Sequence, residues 1–262
     1  MNTHLEYCAL QQGDSLLKDA IKTLAIYEDG FYFFIHHNKT LLYSFCGSGE
    51  KDEIDLDKKI FNLKPEFNIS SFDKIFALPK AFVPTPKRLA NSFDNEQLFK
   101  MLYSTHEKYE IVSSQIENYE TTIISAFDIN NLSRFGINNT SNIIDIVPSW
   151  LNKIKLKSEK EAHAIIFPFT FVIAIFNEGK LQLLNFFNYT DKNDFLYYFI
   201  GAVKSVNLEL KDVAVSLCGE INPASIIVRS LELYFSNIEY EVAAFNVNEE
   251  EQFFSSIFFP LV

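Results

Sequence analysis

The stretch FVIAIFNEGKLQLLNFFNYTDKNDFLYYFIGAV, Phe171 to Val203, holds two apolar runs, a polar joint and a helical pattern in one piece. Thr170 to Phe176 and Lys180 to Phe187 are rich in β-branched and aromatic residues, and Asn177-Glu178-Gly179 between them offers a glycine for positive φ. The pattern predicts a β-hairpin. Thr190-Asp191 then supplies a cap for a helix on which Phe195, Phe199, Ala202, Val203 and Val206 recur at helical spacing, with Leu196 and Ile200 widening the stripe. So broad an apolar face predicts a helix packed on a sheet. Beyond it, Val213 to Leu217 reads as a short buried strand and Cys218-Gly219-Glu220 as a turn. Asn222-Pro223 reads as the start of a helix to about Phe235, and Ile238 to Phe245 as a closing strand.

The same order of elements occurs earlier. Lys22 to Tyr27, Phe31 to His37 and Thr40 to Phe45 read as three strands joined at Glu28-Asp29-Gly30 and Asn38-Lys39. A short helix over Asp55 to Leu63, a buried strand over Phe72 to Leu78 and a helical pattern from Pro86 to Leu102, broken near Asn91, come next. Between the halves, Glu110 to Glu117, Glu120 to Phe127 and Asn142 to Ile146 are strand-like, while Ile129 to Phe135 and Pro148 to Ile154 are helical. The reading is of two α/β domains of related topology, residues 1–127 and 128–262, joined near 127–130.

A chain of 262 residues that is 48% hydrophobic and 15% aromatic has enough apolar side chain for one large core or two ordinary ones. Its net charge of −11 argues against nucleic acid and anionic membrane surfaces, which are recognised by Lys and Arg. No basic segment precedes an apolar core at the N-terminus, and no window is long enough to span a bilayer, so the expected location is the cytoplasm, without membrane insertion. Cys8, Cys46 and Cys218 are far apart and odd in number, which indicates buried free thiols rather than disulfides or a zinc site.

Duplicated units of hairpin-bearing strands followed by helix, strand and helix resemble the actin and sugar-kinase type of ATPase. That fold has two ribonuclease H-like domains facing a nucleotide cleft. More narrowly, the chain resembles an uncharacterised bacterial family with an actin-like ATPase fold. That family is known mainly from Bacteroidetes and is distantly similar to pilus-assembly and cell-division actin homologues. The residues that carry the resemblance are LAIYEDGFYFFI (24–35), TTIISAFDINNLSRFGINNTSNIIDIVPSWLNKI (121–154), LNFFNYTDKNDFLYYFI (184–200) and VSLCGEI (215–221). Nearly the whole chain is covered.

The resemblance implies phosphate-binding turns in which Asp organises Mg²⁺ and glycines admit phosphate oxygens to backbone N–H groups. Here Tyr27 stands at the first Asp position and the turn keeps only Gly30, next to Asp29. Ile165 stands at the second, and Phe167-Pro168-Phe169 fill the glycine-rich bend, with a proline that has no N–H. The adenosine-side turn retains Gly219, next to Glu220. These departures point away from ATP hydrolysis and from any bound cofactor, ATP and Mg²⁺ included. The expectation is a non-catalytic actin-like protein that acts through a protein partner or by self-association. An enzyme reading, a divergent ATPase or phosphotransferase, would rebuild its site from Asp29, Gly30, Gly219 and Glu220. A third, an apolar ligand binder, would use residues such as Phe169 and Tyr27.

Other constellations favour structural roles. His36 and His37 are adjacent on a strand, cannot share a metal and read as surface or edge residues. Gly47-Ser48-Gly49 reads as a flexible turn, Asp52, Glu53, Asp55 and Asp57 as a solvated helix start, and Asp191 with Asp194 as helix-capping residues. Phe186, Phe187, Phe195, Tyr197, Tyr198 and Phe199 read as the layer between helix and sheet. Phe254, Ile257, Phe258 and Leu261 make one face of an expected C-terminal amphipathic helix whose first turn carries Glu249, Glu250 and Glu251.

Overall fold

The computed structural model describes residues 4–8, 19–28, 30–48, 72–103, 109–242, 245 and 261. Asp29, the acidic cluster 52–57 with its helix, and all of the expected C-terminal helix except Leu261 lie outside the described residues. Leu261 itself is buried. The chain divides into two compact units, one of residues 1–115 and 122–146, the other of residues 116–121 and 147–262.

The first unit is built on a six-stranded sheet. Its strands are β1 (His4–Cys8), β2 (Ile21–Tyr27), β3 (Gly30–His37), β4 (Thr40–Ser48), β5 (Lys74–Ala77) and β9 (Ile143–Asp145), in the order β1-β4-β3-β2-β5-β9. The consecutive strands β2, β3 and β4 pair antiparallel, whereas β5 and β9 join parallel to β2 and to each other. β2 and β3 are buried on both faces, which is why LAIY and FYFFI read as continuous apolar runs rather than alternating ones. Leu24, Ile26, Phe31, Phe33, Ile35 and Phe45 form one core with Phe127 and Leu132. Inserted between β5 and β9 is a three-stranded sheet, β6-β8-β7, of β6 (Ala81–Pro86), β7 (Tyr109–Ile116) and β8 (Thr121–Asp128). Two helices accompany it, α1 (Lys87–Ala90) and α2 (Asn95–Leu102), and the break between them falls at Asn91 as the sequence predicts. The helix α3 (Ile129–Ser133) starts at Asp128, whose carboxylate accepts from the N–H groups of Asn130 and Asn131.

The helix α4 (Ile146–Leu151) leads into the main part of the second unit, which repeats the pattern. Its strands β10 (Lys160–Ile166), β11 (Thr170–Asn177), β12 (Lys180–Asn188), β13 (Ala214–Gly219) and β14 (Asn237–Tyr240) lie in the order β12-β11-β10-β13-β14. Again three antiparallel strands are followed by two parallel ones. The β11–β12 turn pairs Asn177 with Lys180 and places Glu178 and Gly179 at φ 50° and 74°, the two positive values that a two-residue hairpin loop requires. α5 (Lys192–Ser205) is capped by Asp191, which accepts from Asn193 and Asp194, while Asp194 accepts from Thr190. Phe195 and Phe199 are fully buried with Phe171, whose ring centroid lies 4.6 and 6.2 Å from theirs. The aromatic layer is therefore a core, although Tyr197 is 75% exposed.

The helix expected from Asn222 begins later. Asn222 accepts from Ala224 N–H in a local turn, and Ser225 instead caps α6 (Ile226–Leu231), which ends well before Phe235. Val228, Leu231 and Phe235 still reach the core. His36 corrects a second expectation, for it is buried rather than at the surface: β3 lies inside its sheet, and the imidazole Nδ1 is 3.2 Å from Asn38 O.

Candidate functional site

Three turns occupy the positions where the resemblance calls for phosphate and adenosine contacts. In the first unit, the β2–β3 turn keeps Gly30 for close packing. A Cβ on Gly30 would lie 2.4 Å from Gly47 O and 2.4 Å from the hydroxyl oxygen of Tyr27. The buried Tyr27 side chain thus lies over the glycine, with its ring 4.9 Å from that of Tyr32. The space the glycine leaves is filled by the chain's own phenol. Glu28 beside it is paired with Lys80.

The other two turns adjoin in the second unit, at the ends of β10 and β13, where Ile166 is in register with Gly219. In the bend after β10, Phe167 N–H donates to Thr170 O at 2.8 Å and Pro168 has no N–H to offer. Phe167 O accepts the Tyr189 hydroxyl at 2.6 Å, and Phe169 O accepts the Tyr189 N–H at 2.9 Å. Burial, reinforced by the Glu220 charge, pushes the Tyr189 phenol far above its ordinary range and keeps it a neutral donor. Phe167 is buried and Phe169 is 52% exposed.

Gly219 is required by its backbone. Its φ is +95°, and a Cβ would meet Ile166 O at 2.1 Å and Ile166 N at 2.7 Å. The tight turn lets Glu220 N–H donate to Ile166 O at 2.7 Å and Ile221 N–H to Gly219 O at 2.8 Å. Of the residues singled out from sequence, Gly219 and Glu220 therefore come together with the Phe167–Phe169 bend, Gly30 belongs to the first unit, and Asp29 is outside the described residues. Among the described residues, no three His, Cys, Asp or Glu side chains are grouped to hold a metal ion.

Sequence reasoning missed a buried polar cluster in the second unit. His163 Nε2 lies 2.7 Å from Glu161 Oε2, and His163 Nδ1 lies 3.3 Å from Glu241 Oε1. Glu161 also accepts from the backbone N–H groups of Lys157 and Ser158. Burial pushes the Glu161 carboxyl up, but those two N–H groups and His163 outweigh it and hold the group below its ordinary value. Strand alternation puts residues 161 and 163 on one face and was a usable signal. Glu241, just past β14, left none.

Two sheets that share an order of three antiparallel strands followed by two parallel ones, with β1 added at the edge of the first, define an actin-like ATPase fold. A solved structure with that fold and unknown function, from Bacteroides thetaiotaomicron, is similar at a TM-score of 0.65 and 19% identity, covering 87% of this chain and 93% of that one. The PilM-PilN type IV pilus biogenesis complex contains a chain similar at a TM-score of 0.52 and 9% identity, with coverage of 91% and 95%. The chain belongs to the DUF3822 family, described as a protein of unknown function, whose model matches residues 18–238. No curated protein matches it. Among the described residues, no helix is long and apolar enough to cross a membrane.

Proposed function

We propose that this chain is a non-catalytic actin-like protein that works in the cytoplasm by binding a protein partner or another copy of itself. One observation carries the reading: two backbone donors of the turns at the ends of β10 and β13 are spent inside the fold. Glu220 N–H donates to Ile166 O and Phe167 N–H to Thr170 O, so neither is aimed at a phosphate. Tyr27 and Ile165 hold the positions where an aspartate would organise Mg²⁺, and the Tyr27 phenol covers Gly30. The residues present at these turns do not fit a magnesium nucleotide. The PilM-PilN complex supports the partner reading by analogy, as a similar fold found with a protein partner. The net charge of −11 and the free, buried thiol of Cys218 support a reducing compartment and no nucleic-acid partner.

Isothermal titration of the full chain with Mg-ATP tests the proposal. No heat of binding is expected at millimolar nucleotide, and micromolar binding would refute it in favour of a divergent ATPase or phosphotransferase.

A further inference from the structure

The two edges of the second sheet are held differently. β12, at one edge, has nine residues, and Leu183 and Phe187 pack on the core. β14, at the other edge among the described residues, has four residues, pairs parallel with β13 over Ala214 to Leu217, and sets Ile238 and Tyr240 partly buried against the same core. Polar contacts add to that packing. Glu239 pairs with Lys157 across an exposed surface, Glu241 N–H donates to Leu217 O at 2.9 Å, and the Glu241 carboxylate reaches the buried His163.

His163 is 1% exposed and Glu161 3%, and the imidazole meets the ring of Phe176 from β11 edge-on at 5.7 Å. The ring of Tyr119 lies tilted against the same Phe176, with centroids 5.0 Å apart. Ser216 is in register with His163 and Glu239 is in register with Ser216. Cys218, two residues further along β13, is fully buried and senses the Glu241 charge. A histidine ring has two nitrogens, and here each faces a carboxylate oxygen. The two sides are unequal. Glu161 is also held by two backbone N–H groups, whereas the 3.3 Å contact to Glu241 leaves His163 Nδ1 and Glu241 Oε2 without a hydrogen-bond partner among the described residues.

This asymmetry gives the cluster a moving part. If β14 leaves, Glu241 passes into water, where its charge is fully solvated, while Glu161 and His163 keep each other and the amides of Lys157 and Ser158. No buried charge is stranded. We propose that His163, bonded to Glu161 on β10, is a latch that captures Glu241 and so docks β14 as a detachable edge strand. Opening it exposes the edge of β13 that β14 covers and frees residues 237–242. An exposed strand edge of that kind is a template for pairing with another chain. The latch stands independently of the partner reading above, because it concerns how this edge is closed.

Hydrogen-exchange mass spectrometry on the full chain tests it. Glu241→Gln is expected to speed exchange of the amides in 237–242 about tenfold, the weight of a single contact to an ionised carboxylate, with 160–177 unchanged, and His163→Gln is expected to speed the same amides in 237–242. Glu239→Gln, which breaks only an exposed pair, is expected to change the same amides less than about twofold. Unchanged exchange at 237–242 in Glu241→Gln overturns the latch. So does loss of protection spread equally over 160–177, which would make the cluster a keystone of the whole unit, or an equal effect of Glu239→Gln. If His163→Gln does not fold, Glu241→Gln decides alone.

Discussion

Replacing Gly219 with alanine separates a structural glycine from a ligand-binding one. The new Cβ would be built 2.1 Å from Ile166 O, and real Cβ contacts under 3.0 Å essentially never occur, so the β10 and β13 backbones have to part at their paired ends. Neither neighbour is the end of a flexible side chain that can swing away. A φ of +95° adds the strain of a side chain in a region open mainly to glycine, about 1–3 kcal/mol. Loss of the Glu220 N–H bond to Ile166 O adds about 1 kcal/mol, since it joins the two strands that must separate. Together these place the destabilisation at about 2–4 kcal/mol, well above the effect of an ordinary surface substitution. The chain's single tryptophan, Trp150, is fully buried in the second unit, so its fluorescence during urea unfolding reports on that unit alone. A loss under about 1 kcal/mol would refute the packing argument. Wild-type stability combined with loss of Mg-ATP binding would show that Gly219 makes room for nucleotide instead.

Three further outcomes follow from the second unit. Phe171→Ala removes a fully buried ring that neighbours Phe187, Tyr189, Phe195 and Phe199, and should cost about 3–5 kcal/mol in the same unfolding experiment; a loss near 1 kcal/mol would mean the layer repacks freely. Because the Glu161 carboxyl is held below its ordinary value of 4.5 in the fold, its contribution is complete above that pH and is lost as pH falls through the depressed value; urea midpoints by Trp150 fluorescence should drop below pH 4.5, and Glu161→Gln should flatten that slope. Burial, with the Glu241 charge adding to it against Lys153 and Trp150, pushes the Cys218 thiol well up, so peptide mapping after iodoacetamide treatment should find Cys218 alkylated only in denaturant; native-state labelling would contradict its burial.

Local chemistry determined a good part of this protein before folding. Asn177-Glu178-Gly179 specifies a hairpin because two positive φ values are needed and glycine supplies one without strain. Asp191 and Asp194 specify where α5 begins because a carboxylate answers N–H groups two to four residues away. The apolar runs of β2, β3 and β11 declare strands buried on both faces, and the repeated order of elements made the duplicated α/β fold legible. The start of α6 was not, because Asn222 and Ser225 are competing caps three residues apart, and the choice rests with the packing of Val228, Leu231 and Phe235. His36 was misread for a similar reason: its strand turned out to be interior, which depends on pairing with β4 and β2. Tertiary structure alone decided what each glycine is for, since Gly30 and Gly219 are alike in sequence as permissive residues. One is filled by the phenol of Tyr27 and the other is pressed against Ile166 from a strand more than fifty residues away. It alone also brought Glu241 to His163, because a contact between elements distant in the chain exists only once the sheet has ordered its strands.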